Sequence, residues 1–437
     1  MSRTGRIAGA AAVVVVAAAA VGYYAWQPAI APLDSPPPIS EDRALLAQGA
    51  RLAELGDCMH CHTAQDGKPY AGGLPLNTPF GTIYSTNITP DVDTGIGAWS
   101  QEAFARAMRR GVARDGSLLY PAFPYVHFTR VTDDDIAALY AYLMARRPVH
   151  APAPANELTF PLNFRPLVAG WNLLFLDAGE LPAPAKAQSK DWLRGRYLVE
   201  GLGHCASCHT PMNALGAEKS GQPYAGGLID GWEAPPLNAL TRARRPWTHE
   251  QLTSYLHTGL ATEHGAAAGP MLPVTQHLAN VPLSDVQAMA TYLMSMQPEP
   301  QASPPPTPPA APPPAPPGTP AADDAQRMER GAATFNASCA SCHGASAPMH
   351  TVGGRPLLEL STALNADSPR NAIQLVLSGN PWTGSASAHY MPPFAATLTD
   401  EQIADVLAYT RVQYAQRPAW KNIAGSVAAI RKENPQP

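Results

Sequence analysis

The six cysteines of this 437-residue chain fall in three pairs, and each pair is followed at once by a histidine. They read Cys58-Met-His-Cys61-His62, Cys205-Ala-Ser-Cys208-His209 and Cys339-Ala-Ser-Cys342-His343. Cys-x-x-Cys-His is the attachment pattern of c-type haem. The spacing has a mechanical cause. Two thiols on one helical turn reach both vinyl groups of a porphyrin as thioethers, and the next residue sets an imidazole under the iron as proximal ligand. The alternatives fit less well. A thioredoxin-like redox pair needs no following histidine, a zinc knuckle wants a second Cys or His pair nearby, and disulfides would scatter the cysteines. Cys58, Cys61, Cys205, Cys208, Cys339 and Cys342 are therefore expected to hold three covalently bound haems c, with His62, His209 and His343 on the irons. Haem attachment of this kind takes place outside the cytoplasm, so the chain is expected to be exported.

The sixth iron position is filled by the protein or left open. A methionine thioether there raises the reduction potential, whereas a second histidine gives a lower one. The distal ligand of a small c-type domain comes from the loop before its last helix. In the third copy that loop offers Met391, within His389-Tyr-Met-Pro-Pro-Phe394. In the second it offers Met271, at the end of Gly265-Ala-Ala-Ala-Gly-Pro-Met271. The first copy has no methionine in the matching stretch, Leu119-Tyr-Pro-Ala-Phe123-Pro-Tyr-Val-His127. His127 is its candidate ligand, with a more distant group such as Met108 or Met144 as the alternative.

The elements around these residues repeat. Gly49, Gly195 and Gly331 each sit in a helical stretch before a haem motif. A glycine inside a helix costs about 1 kcal/mol relative to alanine, so it usually has a packing reason. Close crossing by a second helix is the expected one. Each copy ends in a helix with a capping signal, Thr132-x-x-Asp135, Ser284-x-x-Gln287 and Thr399-x-x-Gln402. Each of these helices presents an aromatic: Tyr142, Tyr292 and Tyr409. A first and last helix crossing at a glycine and an aromatic resemble a cytochrome c domain. Copies one and two also share Tyr70-Ala-Gly-Gly-Leu74 and Tyr224-Ala-Gly-Gly-Leu228, and a tryptophan before a helix start at Trp99-Ser100 and Trp247-Thr248.

The expected fold is mainly α, with three tandem cytochrome c-like domains after an N-terminal transmembrane helix. Their expected spans are 40–150, 190–297 and 323–437. Residues 298–322 form a proline-rich linker without apolar periodicity. Extended at about 3.1 Å per residue, such a tether could space the third domain by up to roughly 70 Å. The connector 151–189 contains a nearly all-apolar run after Pro166, a residue suited to a first helical turn. The run is too short to span a bilayer and too apolar to face water. It is expected to pack on protein, another domain or a partner, with a membrane surface as the alternative.

The amino terminus, 1–31, reads as a signal-anchor. Arg3 and Arg6 precede an apolar run from Ile7 to Trp26, long enough at about 1.5 Å per residue to cross a hydrocarbon core of ~30 Å. The basic flank keeps to the cytoplasm, and Tyr23, Tyr24 and Trp26 suit the far interface. The competing reading is a cleaved signal peptide ending at Ala29-Ile30-Ala31, where Pro32 obstructs the cut. The net charge of −4 gives no sign of nucleic-acid binding.

The chain resembles the three-haem cytochrome c subunits of membrane-associated bacterial dehydrogenases. The resemblance rests on the three haem motifs, on Tyr-Ala-Gly-Gly-Leu, on Gly81-Thr-Ile-Tyr-Ser-Thr-Asn-Ile-Thr-Pro-Asp91 and on Asp115-Gly-Ser-Leu-Leu-Tyr-Pro-Ala-Phe-Pro-Tyr125. Within that family, alcohol dehydrogenase members tend to show Ala-Met-Pro-Tyr where this chain has Ala122-Phe123-Pro-Tyr125. That departure, His127, Leu202-Gly-His-Cys-Ala-Ser-Cys-His-Thr-Pro211, Asn213-Ala-Leu-Gly-Ala-Glu-Lys219 and the segment Pro161–Phe175 look more like the branch partnered with molybdenum hydroxylases acting on aldehydes, nicotinate or isoquinoline. The resemblance implies a molybdopterin catalytic subunit and a small [2Fe-2S] subunit as partners, ubiquinone or another respiratory acceptor, and haem domains on the periplasmic face of the inner membrane. It implies electron transfer with no substrate chemistry in this chain. The alternatives are a quinoprotein (PQQ) alcohol dehydrogenase or a flavin gluconate or sorbitol dehydrogenase as partner, a peroxidase-like haem in copy one, and a terminal-oxidase cytochrome subunit.

Overall fold

The computed structural model describes residues 22, 26–243, 245–298, 321–344, 347, 357–381 and 390–433. The apolar run Ile7–Trp26 lies outside them except for Gly22 and Trp26. Among the described residues, no helix is long and apolar enough to cross a membrane. The chain divides into two compact units, Met1–Ser207 and Cys208–Pro437.

The first unit contains α1 (Arg43–Leu55), α2 (Cys58–Cys61), the hairpin β1 (Pro75–Thr78) and β2 (Gly81–Tyr84), α3 (Gln101–Arg110), α4 (Tyr125–Phe128), α5 (Asp133–Met144), β3 (Glu157–Leu158), α6 (Leu167–Phe175) and α7 (Lys190–Glu200). The strands form one antiparallel sheet in the order β1-β2-β3. Side chains of the expected type start the helices. Asp42 accepts from the Ala44 and Leu45 amides, Ser100 from Ala103, Thr132 from Asp135 and Ser189 from Trp192. Three aspartates in the first turn of α5 add a favourable interaction with the helix dipole. Helices α1 and α5 cross at Gly49, as its place in the sequence predicts. A Cβ there would lie 2.0 Å from the Ala138 carbonyl oxygen and 2.6 Å from Tyr142 Cβ. Buried Asp135 ties three helices together, accepting from Gln48 Nε2 at 2.7 Å and from Tyr197 Oη at 2.6 Å.

Helix α6 carries the apolar run of the connector. Val168 and Ala169 pack against Val112 and Leu118. Its one polar residue, Asn172, is buried and accepts from the Tyr125 hydroxyl at 2.6 Å. The expected packing on protein therefore holds for one face of the helix. Leu167, Leu173 and Leu174, on the other side, are exposed.

The second haem motif turns as α8 (Ala206–His209). Beyond it, the second unit contains the hairpin β4 (Gly227–Ile229) and β5 (Trp232–Ala234), α9 (His249–Thr258), the pair β6 (Leu260–Ala261) and β7 (Gly265–Ala266), α10 (Met271–Leu278) and α11 (Leu283–Ser295). It continues with α12 (Ala321–Ser338), α13 (Ala340–His343), α14 (Thr362–Asn365), α15 (Arg370–Ser378), α16 (Asp400–Gln413) and α17 (Ile423–Glu433). Thr248 and Thr399 each close a capping box, with Gln251 and Gln402. Ser284 does not cap its helix. Pro282 occupies the N-cap with φ −52°, Leu283 takes the first helical position, and the serine falls inside the first turn. Helices α12 and α16 repeat the glycine crossing: a Cβ on Gly331 would lie 2.3 Å from the Asp405 carbonyl oxygen and 2.7 Å from Tyr409 Cβ. Ile373, Leu377, Ile403, Leu407, Ile423 and Val427 form the core of this part. Arg411, buried beside it, donates to the carbonyls of Leu364, Ala366 and Pro418 and stacks on Trp420, 3.9 Å from the ring centroid.

A linker able to extend does not hold the third copy away from the second. Asn371 exchanges two hydrogen bonds with the Glu233 backbone, at 2.8 and 2.9 Å. Gln374 donates to the Gly231 carbonyl at 3.0 Å, the Thr362 amide to His264 O at 2.9 Å, and Asn380 to Ala267 O at 3.2 Å. Linker composition sets the maximum reach of the chain, whereas these long-range bonds set where the third copy sits.

Candidate haem sites

Each haem motif forms one helical turn: Cys58–Cys61, Ala206–His209 and Ala340–His343. No disulfide forms among the described residues, which include all six cysteines. Burial pushes the Cys58 thiol up to about 12 and the Cys339 thiol up to about 11. A redox-active pair needs the opposite, an attacking thiol held below its ordinary value. Among the described residues no cluster of three His, Cys, Asp or Glu side chains could hold a metal ion.

The histidines are oriented. His62 Nδ1 lies 2.6 Å from the Thr86 carbonyl oxygen, and His209 Nδ1 lies 2.7 Å from the Pro235 carbonyl oxygen. A carbonyl can only accept, so Nδ1 carries the proton in each ring and Nε2 keeps the lone pair. Burial also lowers both imidazoles below their ordinary values, which keeps them neutral. A neutral imidazole with its second nitrogen anchored on a carbonyl is the donor an iron-porphyrin needs. The residues present therefore fit covalently bound haem.

The string shared by the first two copies builds this arrangement. The amide of Gly72 donates to His62 O at 2.7 Å, and that of Gly226 to His209 O at 2.9 Å. The amides of Tyr70 and Tyr224 donate to the hydroxyls of Thr63 and Thr210, the residues just after each motif, at 3.2 and 3.0 Å. Tyr70 and Tyr224 have φ of +63° and +57°, which turns the chain back over the motif. A Cβ on Gly72 would lie 2.4 Å from the Thr86 carbonyl carbon, and one on Gly227 would lie 2.2 Å from Cys208 O. The glycines thus let the string press against both the motif and the carbonyl that orients its histidine. In the third copy the residues just after the motif, 345–346 and 348–356, lie outside the described residues.

The predicted distal residues sit in different settings. The Met391 backbone is stapled to Asn380 by two hydrogen bonds of 2.8 and 2.9 Å, which fixes the position of its side chain's root. Met271 is not in a loop. It is the first residue of α10, behind Gly269 and Pro270, because Pro270 supplies a helix-compatible φ of −60°. His127 is buried in α4 with Nδ1 3.1 Å from the carbonyl oxygen of Glu200, the last residue of α7. Met108 and Met144, the alternatives to His127, are buried within α3 and α5.

Two segments of the chain, 46–146 and 194–297, match the family described as cytochrome c, and residues 326–409 match the family described as cytochrome c oxidase, cbb3-type, subunit III. The chain is 46% identical over 408 residues to a nicotinate dehydrogenase subunit of Pseudomonas putida. That match covers 93% of this chain and 33% of the relative. It is 37% identical over 410 residues to the gluconate 2-dehydrogenase cytochrome c subunit of Pantoea cypripedii, covering 89% of this chain and 90% of the relative. It is 36% identical over 390 residues to the fructose dehydrogenase cytochrome subunit of Gluconobacter japonicus, covering 86% and 80%.

The chain belongs to the dehydrogenase cytochrome c subunit family. It is made of mainly helical cytochrome c domains, which hold haem c covalently and carry electrons. The chain spans a third of the nicotinate dehydrogenase relative and most of the other two.

Membership of the family directs attention to residues that sequence reasoning passed over. Thr86 and Pro235 act only through backbone carbonyls, which no side-chain pattern reveals, although Thr86 lies within the quoted string after Gly81. His204, just before the second motif, has φ +34° and is half-buried. Its Nε2 lies 3.4 Å from Gly56 O, and its ring packs edge-on against Phe128 at 5.6 Å. Burial lowers it below its ordinary value. It joins the residues preceding the first motif to those preceding the second. Its signals in the sequence are its place beside Cys205 and within the quoted string that starts at Leu202.

Proposed function

We propose that this cytochrome is the three-haem electron-transfer subunit of a membrane-bound dehydrogenase whose catalytic subunit carries molybdopterin and whose small subunit carries [2Fe-2S] clusters. Its domains span 40–150, 190–297 and 323–437. Haem c supplies a one-electron ferric/ferrous couple. Cys58, Cys61, Cys205, Cys208, Cys339 and Cys342 hold three haems, His62, His209 and His343 take the proximal positions, and His127, Met271 and Met391 the distal ones. The pairing of His62 and His209 with backbone carbonyls carries the haem reading, because it leaves the lone pair of each Nε2 able to hold an iron. The 46% identity to a nicotinate dehydrogenase subunit over nearly the whole chain supports the partner class. Ubiquinone or another respiratory component is the acceptor. Ile7–Trp26 anchors the chain in the inner membrane with the haem domains in the periplasm.

Purification of the tagged chain from native membranes tests the partner class. A molybdenum-containing subunit and an iron–sulfur subunit should accompany it. A quinoprotein or flavoprotein partner would move the chain to another branch of the same family. The match of 326–409 to a cbb3-type oxidase subunit favours one further reading, a terminal-oxidase cytochrome, and copurification with a copper–haem oxidase would establish that reading instead.

A further inference from the structure

Helix α6 is apolar on its outer face as well as on the face it buries. Its polar residue, Asn172, is buried, while its outward positions carry Leu167, Leu173 and Leu174, at 46%, 69% and 68% exposure. The preceding turn adds Phe160 and Phe164, at 85% and 58%. A surface helix presents polar side chains to water, and a contiguous apolar patch of this kind marks an interaction site. At nine residues the helix is too short to cross a bilayer, but it has the length and apolar face to lie in the plane of the interface.

The residues that follow the amino-terminal apolar run point to the occupant. The chain that follows the apolar run Ile7–Trp26 is pinned to the segment 106–116. Arg106 Nη1 donates to Pro28 O at 2.6 Å, the Ile30 amide donates to Arg114 O at 2.8 Å, and Gly116 lies so close to Gln27 O that a Cβ would stand 2.2 Å from it. Helix α6 is fixed to the same stretch of chain. Val168 and Ala169 pack on Val112 and Leu118, and Arg165 donates to Leu118 O at 2.8 Å. Trp26, where the apolar run ends, is 68% exposed. Residues 27–30, which follow the amino-terminal apolar run, and helix α6 thus meet the fold on one short strip.

We infer that the apolar face of α6 and the turn before it dock into the outer leaflet of the bilayer that the amino-terminal segment enters. The docking gives the first domain a second, interfacial contact that fixes its orientation on the membrane. It rests on the reading of Ile7–Trp26 as an anchor, and the test separates the two.

The full-length holoprotein is reconstituted into phosphatidylglycerol/phosphatidylethanolamine vesicles containing a phospholipid with a photoactivated carbene precursor in its acyl chain. The labelled residues are then mapped by mass spectrometry. Labels should appear both in 7–26 and in 160–176, and Leu173→Asp with Leu174→Asp should abolish the second set while leaving the first. Labels in 7–26 alone overturn the inference and leave the anchor standing. Labels in 160–176 alone support α6 docking and remove the anchor. Labels in neither overturn both. The same experiment on the assembled dehydrogenase covers the remaining occupant: cross-links from 160–176 to another protein in place of lipid labels assign this face to a neighbouring chain and overturn the inference.

Discussion

Gly72 shows how a single residue without a side chain can govern a haem site. Its amide holds the His62 carbonyl, and the space where its Cβ would stand is filled by the backbone of Thr86, whose carbonyl holds the His62 ring. Gly73, beside it, also has a positive φ, but a Cβ there would meet only Ala64 Cβ at 3.6 Å. Both Gly72→Ala and Gly73→Ala bear left-handed backbone strain of about 1–3 kcal/mol. Gly72→Ala adds a clash and a displaced Thr86 carbonyl. It should lower the melting temperature more than Gly73→Ala does, and should alone perturb the spectrum of one haem; equal effects would contradict this role. The distal assignments give a second test at this scale. Met271→Ala and Met391→Ala should each weaken the iron–sulfur charge-transfer band of the oxidised protein. His127→Ala should leave that band intact and open one haem to carbon monoxide. A His127→Ala variant unchanged in both respects would show that the sixth ligand of the first iron lies elsewhere. The motif residues were legible in the sequence because covalent attachment demands a fixed spacing. The carbonyl partners were not, since any residue type supplies a carbonyl and only the fold decides which one arrives.

At the scale of elements, the sequence was most legible where one side chain decides a helix end. Thr132 and Thr399 cap as their spacing predicts, Thr248 caps the helix start expected after Trp247, and Gly49 and Gly331 mark helix crossings because no other residue fits beneath Ala138 and Asp405. Ser284 misled because the proline two residues earlier fixes the start of the helix sooner. Helix α6 was visible as an apolar run, but which face would be buried depended on the distant Tyr125 and Val112. The contact between α15 and α17 gives a pH-dependent expectation. Arg370 pairs with Glu433 at 2.5 Å and holds its carboxyl below the ordinary value of 4.5. A carboxyl lowered in the folded state stabilises fully above its unfolded pKa, and that contribution is lost as pH falls through the folded pKa. Glu433 is 45% exposed, so solvent screening leaves a pair of this kind worth only about 0.2–1 kcal/mol. The melting temperature should therefore fall on acidification below 4.5 by slightly more in the parent than in Glu433→Gln. Identical acid limbs would show that the pair contributes nothing.

At the scale of the molecule, the third copy is held by hydrogen bonds to Gly231, Glu233, His264 and Ala267 that no local pattern announces. A proline-rich tether gives no information about where its two ends meet, which is why composition alone suggested a free spacing. If the docking is as described, cutting the chain at a protease site placed in 301–320 should leave the two fragments together on size-exclusion chromatography. Separation of the fragments would mean that the linker, not the interface, keeps them near one another. Under the proposed function, three domains of one plan each attach a haem through their own cysteine pair. Intact mass of the purified full chain, read with thiol titration after denaturation, tests it most directly. The mass should exceed that of the polypeptide by three haems, with no titratable thiol. A mass increase of only two haems, with one reactive cysteine pair, would contradict it.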